Sequence, residues 1–383
     1  MIEISQKPTF ILLLLFLFCN WLSPTRQVLA LSNQSPNRPA GIYEGESVVL
    51  TGSTGFVGLR TLKSLLTHTK VDYIILPIRV RGDIRDKRAA VDRFSDVLAK
   101  YGEGLELSTK NPKLCFVPMS SGKYLDGIAG APKRILDKCS TILHIAGSTD
   151  WNTPLDEYIS ANMEPTMELL QGSSDLLPNL KSFLYSSTCF AEDRDNVSRD
   201  TPVKEGPLAK VSDNSNYFSN YAKGKAMTEH AIESWVQSRL LNQVNGETEV
   251  DSIRVVILRP GTVAPYMGLD NVPVGWHTDT KSLAAGIKLS HSSSIFGKVM
   301  KTFYARKGVD TGIIPVDHVA NMIVLAGGNC NLKGINGKPF YLNACSPSKR
   351  EAKWDTLYER DAVMVPEDLS IYENDLKEAF VKG

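Results

Sequence analysis

The chain has 383 residues, 42% of them apolar, enough to build the core of one large domain or two modest ones. Lys and Arg number 43 against 42 Asp and Glu, a formal net charge of +1, and no basic run stands out, which argues against a nucleic-acid partner. Six cysteines with no C-x-x-C pair and no His/Cys cluster at ligand spacing argue against a zinc site and a dense disulfide framework; free thiols and no resident metal are expected.

Thr9 to Leu22, TFILLLLFLFCNWL, is an apolar run shorter than the roughly 20 residues that span a bilayer, and a polar break and VLA ending at Ala30 follow it. Residues 1–31 therefore read as a signal peptide or, since the n-region has only Lys7 and also carries Glu3, as a retained membrane anchor. Arg26 and Arg38 would then favour a cytosolic placement of the rest of the chain. Both readings put the chain at the endoplasmic reticulum or its membrane. Ser32 to Ala40 is rich in Ser, Asn, Pro and Arg and free of acids, so a two-part plastid address is the alternative, and residues 32–45 read as a linker.

Beyond residue 45 short apolar, β-branched runs recur at Ser47–Thr51, Tyr73–Ile78, Leu114–Val117, Thr141–Ala146, Ser182–Tyr185 and Val255–Leu258, with amphipathic segments of helical length in most intervals. The spacing predicts an α/β fold, a doubly wound parallel sheet with helices on both faces. The runs scarcely alternate, as strands covered on both sides should not.

In VVLTGSTGFVGLRTL the glycines Gly52, Gly55 and Gly58 fall between the first strand and a helix. A helix N-terminus offers unpaired N–H groups and the positive end of its dipole to an anion. Missing Cβ atoms allow the sharp turn and the close approach of a pyrophosphate, so the turn from Gly52 through Ser53, Thr54, Gly55, Phe56 and Val57 to Gly58 reads as dinucleotide-binding. The second strand ends LPIRVRGD, where Arg79, with Arg81 just beyond, is better placed than Asp83 to meet the adenosine ribose. A guanidinium there pairs with a 2′-phosphate, so the expected cofactor is NADPH.

NYAKGKAMTEH holds Tyr221 and Lys225 four apart in a helix-compatible stretch, on one face. At about 5 Å and an effective dielectric near 20, a lysine cation would favour tyrosinate by roughly 3 kcal/mol, making Tyr221 a proton donor tuned toward neutral pH. Thr188, in FLYSSTCF, follows a predicted central strand at the edge where doubly wound folds bind ligands, and its hydroxyl could bond a substrate carbonyl; Ser187 competes for that role.

TGSTGFVG, the SST strand end, YAKGKAMTE and LRPGTV together resemble an extended short-chain dehydrogenase/reductase. LPIRVRGD with DRF downstream, HIAGSTDWNTPLDEYISANMEPTMELL and GIIPVDHVANMIV narrow the resemblance to the NAD-binding domain of fatty acyl-CoA reductases and carrier-protein thioester reductases, over about residues 46 to 330. The resemblance implies a Rossmann-type domain over 46–262 and a smaller C-terminal substrate lobe over 263–383. It further implies that Gly52, Gly55 and Gly58 hold the pyrophosphate, Arg79 the 2′-phosphate, and that Thr188, Tyr221 and Lys225 catalyse. The loop Pro260, Gly261, Thr262 and Val263 would border the nicotinamide, with Ala146 and Gly147 also in the cofactor site.

The sequence departs from that pattern after the third strand, where Met119 and Ser120 replace a Gly-Asp pair whose Asp would meet the adenine, and Gly147 stands where the family often has alanine. The implied reaction is reduction of an acyl-CoA or acyl-carrier-protein thioester by NADPH to an aldehyde, with a second reduction to alcohol conceivable on the same framework. Trp276 and the apolar positions around it would supply a wall for the acyl chain. An NADPH reductase of a small ketone and a non-catalytic nucleotide-binding regulator are the alternative readings of the same residues.

Overall fold

The computed structural model describes residues 41–102, 105–151, 153–196, 205–212, 214–244, 253–264, 266–267, 273–274, 313–328 and 338–345. The expected signal peptide or anchor at 1–31, most of the expected linker, and Trp276 lie outside them. Among the described residues no helix is long and apolar enough to cross a membrane.

Seven parallel strands form the central sheet: β1 (Ser47–Thr51), β2 (Tyr73–Arg79), β3 (Leu114–Met119), β4 (Cys139–His144), β5 (Ser182–Ser186), β6 (Arg254–Pro260) and β11 (Phe340–Ala344), in the order β11-β6-β5-β4-β1-β2-β3. Period-2 geometry sends alternate side chains to opposite layers. Val48, Leu50, Ile74 and Leu76 thus face one core, with Leu62 of α1 (Phe56–His68) and Phe94 of α2 (Lys87–Tyr101). Their neighbours Val49 and Ile75 face the other, with Ile128 of α3 (Tyr124–Ala129) and Ile135 of α4 (Lys133–Leu136). Both faces are apolar because both are covered, which is why the runs show no alternation.

The chain reverses its direction of sheet growth between β1 and β4, paired in parallel from Ser47 to Thr51. Such a switch point opens a crevice beyond the carboxyl ends of the strands. Helix α5 (Leu155–Tyr158), a π turn (Ile159–Met163) and α6 (Glu164–Leu176) run on from one another after β4, and α7 (Asn220–Val244) precedes β6.

The division of the sequence at residue 262 is not a division in space. After β7 (Thr262–Ala264) and the short pair β8 (Tyr266–Met267) and β9 (Pro273–Val274), β10 (Ile313–Pro315) pairs with β7. Helix α8 (Val316–Gly328) then packs on α1, and β11 joins β6 in the main sheet. Residues 316–344 therefore contribute a helix and an edge strand to the dinucleotide-type domain, anchored by the buried stripe Val319, Ala320 and Ile323.

Candidate functional site

The turn after β1 is closed by Gly55 N–H donating to Gly52 O at 2.9 Å, and Leu59 N–H donates to Gly55 O at the head of α1. Gly52 has φ +71, left-handed backbone that favours glycine, and a Cβ there would lie 2.8 Å from Ala146 N. At Gly58 a Cβ would lie 2.0 Å from Gly52 O, so glycine is what lets α1 start this close to β1. The Ser53 hydroxyl is buried in the turn without a hydrogen-bond partner. An anion cradle with a donor left over, at the N-terminus of a 13-residue helix, fits a pyrophosphate.

The loop after β4 faces this turn, and a directed hydrogen-bond chain fixes it. Thr51 Oγ1 accepts from Ile145 N–H and Ala146 N–H, both at 3.1 Å, so its own proton goes to His144 Nδ1 at 2.8 Å. His144 is then the Nε2–H tautomer, donating at 2.9 Å to Thr166 Oγ1, which donates to Asn162 O at 2.6 Å. Burial, helped by the Lys225 charge, pushes His144 down to about 3, so it is neutral at physiological pH. The Asn162 side chain accepts from Ser148 N–H at 2.7 Å from within the π turn. Ala146 and Gly147 are thereby held between the glycine turn and α7; a Cβ on Gly147 would meet Asn162 Oδ1 at 3.3 Å and Lys225 Nζ at 3.8 Å.

Tyr221 and Lys225 lie on one face of the first turns of α7 and are both buried. Gly224 between them leaves room for the Tyr158 ring, which meets Tyr221 edge-on at 5.9 Å between centroids. Thr188 caps the 3-10 turn Cys189–Ala191, accepting from Phe190 N–H at 3.3 Å, and its hydroxyl lies near enough to the Tyr221 hydroxyl to favour the tyrosinate. The Ser187 hydroxyl turns instead toward the Glu229 carboxylate without reaching hydrogen-bonding distance. Thr188, Tyr221 and Lys225 converge; Ser187 stands apart.

The expected tuning of Tyr221 by Lys225 is not what the structure contains. Burial pushes Tyr221 up to about 12, with only the nearby Thr188 side chain drawing it back. The Lys225 ammonium donates to Ser186 O at 2.7 Å and sits 4.6 Å from the Tyr185 ring centre against 6.0 Å from that of Tyr221. Desolvation takes Lys225 itself down to about 8, against the pull of Glu229. Helical spacing brings the pair together, but loss of water outweighs their mutual field.

Arg79 ends β2 with its side chain exposed. Its charge and that of Arg81, after burial, hold the Arg93 guanidinium of α2 below the usual arginine range. Three cations thus gather at the strand end. Arg93 lies 14 residues beyond Arg79, a separation that only the packing of α2 closes. At the third strand end Met119 is buried against Gly127 and Ser120 is exposed, so neither position offers a carboxylate to an adenine. The loop Pro260 to Val263 is fixed by Gly261 N–H donating to Ala344 O at 2.9 Å and by the β7–β10 pairing of Thr262 and Val263.

Beneath the site Arg259 and Glu229 form a fully buried ion pair. Arg259 Nη2 reaches Glu229 Oε2 at 2.6 Å, its Nε lies 3.1 Å from both carboxylate oxygens, and Nη2 also donates to Gly206 O at 2.8 Å. This pair ties α7 to β6 and the segment before α7. Glu229 lies on the same helix four residues after Lys225, whereas its partner Arg259 comes 30 residues further on, in another strand, so only the fold brings them together.

The NAD-binding family model described as male sterility protein matches residues 50–323. Curated relatives include the fatty acyl-CoA reductase wat of Drosophila melanogaster, 24% identical over 318 residues, covering 78% of this chain and 57% of that protein. Fatty acyl-CoA reductase 2 of Homo sapiens is 24% identical over 300 residues, covering 75% and 55%. The chain spans about half the length of these relatives. Among solved structures, the terminal R domain from the myxalamid PKS-NRPS biosynthetic pathway superposes with a TM-score of 0.64 at 20% identity, covering 88% of this chain and 75% of that one. The Candida albicans Gre2–NADPH complex superposes at 0.50 with 16% identity, covering 79% and 78%. The likeness to these two structures is one of fold: the Rossmann-type α/β architecture expected from the sequence.

Proposed function

The chain belongs to the male sterility protein family, and on that premise we propose that it is an NADPH-dependent reductase of acyl thioesters, either acyl-CoA or carrier-bound, yielding the aldehyde. The observation that carries the proposal is the convergence of Thr188, Tyr221 and Lys225 at the carboxyl end of β5, beside a glycine turn that fits a pyrophosphate. The activity for which the relatives are named, fatty acyl-CoA reduction, and the thiolation-reductase di-domain of an archaeal non-ribosomal peptide synthetase, which shares this fold, support the reading.

Gly52 to Gly58, with the Ser53 hydroxyl, would hold the pyrophosphate; Arg79, joined by Arg81 and Arg93, the 2′-phosphate; Ala146, Gly147 and Pro260 to Val263 the nicotinamide half. A bound nicotinamide supplies a hydride. Thr188 and Tyr221 point two hydroxyls at one carbonyl oxygen, where they stabilise the negative charge that grows as its carbon becomes tetrahedral. Tyr221, protonated at neutral pH, passes its proton to that oxygen. Its return to the tyrosinate re-forms the carbonyl as the C–S bond breaks, the thiolate taking a proton from water. Thioester plus hydride and proton gives aldehyde plus thiol. Lys225, cationic below about pH 8, would hold the nicotinamide ribose.

The test is NADPH oxidation by the purified protein over acyl-CoAs, acyl carrier proteins and simple ketones. Consumption with a thioester and an aldehyde or alcohol product is expected; turnover of ketones alone would replace this assignment.

A further inference from the structure

Three aromatic rings from three separate segments meet at the outer side of the Thr188–Tyr221 pair. Trp151 follows the β4 loop, Phe190 lies two residues after Thr188, and Phe218 three residues before Tyr221. Trp151 meets Phe218 edge-on at 5.0 Å and Phe190 at 6.2 Å, and Phe190 lies 5.9 Å from Phe218. Each ring is tethered to the site. Phe190 N–H bonds Thr188 Oγ1, and Asn220 Nδ2 at the start of α7 donates to Thr153 O beside Trp151 at 3.3 Å. Yet Trp151 is 43% and Phe218 53% exposed. A contiguous apolar patch left in water beside a polar site marks a surface for an apolar ligand.

Charge decides which part of a thioester belongs there. The segment after Phe190, Glu192 to Asp195, carries three carboxylates against one guanidinium, and it is pinned beside Phe218. Asp193 Oδ1 accepts from Asn216 N–H at 3.1 Å, and Asp195 Oδ1 from Asn216 Nδ2 at 3.1 Å. Burial and the Asp193 and Glu192 charges push the hydroxyl of Tyr217, next to Phe218, up to about 12, so those charges act where the rings lie. An anionic phosphopantetheine arm, and still more the polyanionic CoA, is repelled by this surround, whereas a neutral hydrocarbon chain is indifferent to it and gains from three rings.

Resting on the thioester-reductase reading, we propose that Trp151, Phe190 and Phe218 form the seat of the substrate's acyl chain and set its preference for long chains, the thiol arm leaving by another side. Trp151→Ala and Phe218→Ala are assayed with dodecanoyl-CoA and butanoyl-CoA. The ratio of their kcat/KM values should fall at least about fivefold in each variant. A smaller fall overturns the proposal. Separately, S-dodecyl-CoA, a thioether that cannot be reduced, is titrated into the NADPH-bound protein. Tryptophan emission should change saturably in the parent and not in Trp151→Phe; an equal change in both overturns the proposal. A parent that reduces no thioester sinks the reductase reading and leaves the emission arm to decide this one. A parent that reduces thioesters with an unmoved chain-length ratio does the reverse.

Discussion

Replacing Lys225 by methionine should stabilise the cofactor-free protein at pH 7 relative to its effect at pH 10, while damaging its function. The lysine is buried and held at about 8 rather than the usual 10.5, chiefly by desolvation. Between those values the unfolded chain binds a proton that the folded protein does not, so the lysine's contribution to stability rises with pH through that window. Below pH 8 the full penalty, roughly 3 kcal/mol, is present. Loss of the bond to Ser186 O and the altered packing contribute at every pH, so they cancel when the variant is compared with the parent at two pH values. From pH 7 to pH 10 the parent should therefore gain roughly 2 to 3 kcal/mol relative to Lys225→Met, read from urea unfolding followed by circular dichroism. Cofactor affinity should move the opposite way. Above pH 8 each unit removes about tenfold of the ammonium form, so NADPH binding to the parent should weaken with pH. A stability difference between variant and parent that does not change with pH would refute the buried-cation argument.

Arg79→Ala should weaken NADPH binding by on the order of 1.5 to 3 kcal/mol and NADH binding much less, since only a 2′-phosphate loses a charge-assisted contact; titration calorimetry with equal losses would remove Arg79 from that role. Tyr221→Phe should cut kcat by roughly two to four orders of magnitude with NADPH affinity little changed, and turnover near the parent's rate would exclude Tyr221 as the proton donor. Glu229→Gln leaves the Arg259 charge buried and uncompensated and should cost about 3 kcal/mol in an unfolding titration; a loss under about 1 kcal/mol would show the pair to be dispensable. At the N-terminus, sequencing of the protein purified from its source cells should begin near Leu31 if residues 1–31 are a cleaved signal, whereas an intact Met1 would favour a retained anchor.

The parts of the fold legible in the sequence are those in which local chemistry fixes residue type. Gly52 must be glycine because its φ is +71, and Gly58 because a carbonyl oxygen fills the space of its Cβ. Strands β1 to β6 were legible because both faces are buried, which forces continuous apolar runs. β11 was not: it is an edge strand, largely half-buried, whose partner Val256 to Pro260 lies some eighty residues earlier. The Rossmann-domain boundary expected at 262 fell short for the same reason. At the site, helical spacing gave the Tyr221–Lys225 pair but could not give the desolvation that separates their protonation behaviour.

What escapes sequence altogether is polar burial assembled from distant positions. At the amino end of the sheet the ion pairs Lys138–Asp72 and Lys181–Glu46, 2.6 and 2.9 Å, remain partly exposed, and such pairs contribute at most about 1 kcal/mol each. At the carboxyl end Thr51, His144, Thr166, Asn162, Lys225, Glu229 and Arg259 are all buried. Each carries a desolvation cost that only its partners offset. The chain from Ala146 N–H through Thr51 and His144 to Asn162 O has one direction, because the amide can only donate and the carbonyl can only accept. Thr51, His144, Asn162 and Thr166 lie within two of the stretches that carry the family resemblance, yet nothing in those stretches shows the hydrogen bonds that link them. The loop that faces the glycine turn is therefore positioned by a network whose logic is complete only once residues 51, 144, 162 and 166 have met, which places rigidity where a ligand is to be held.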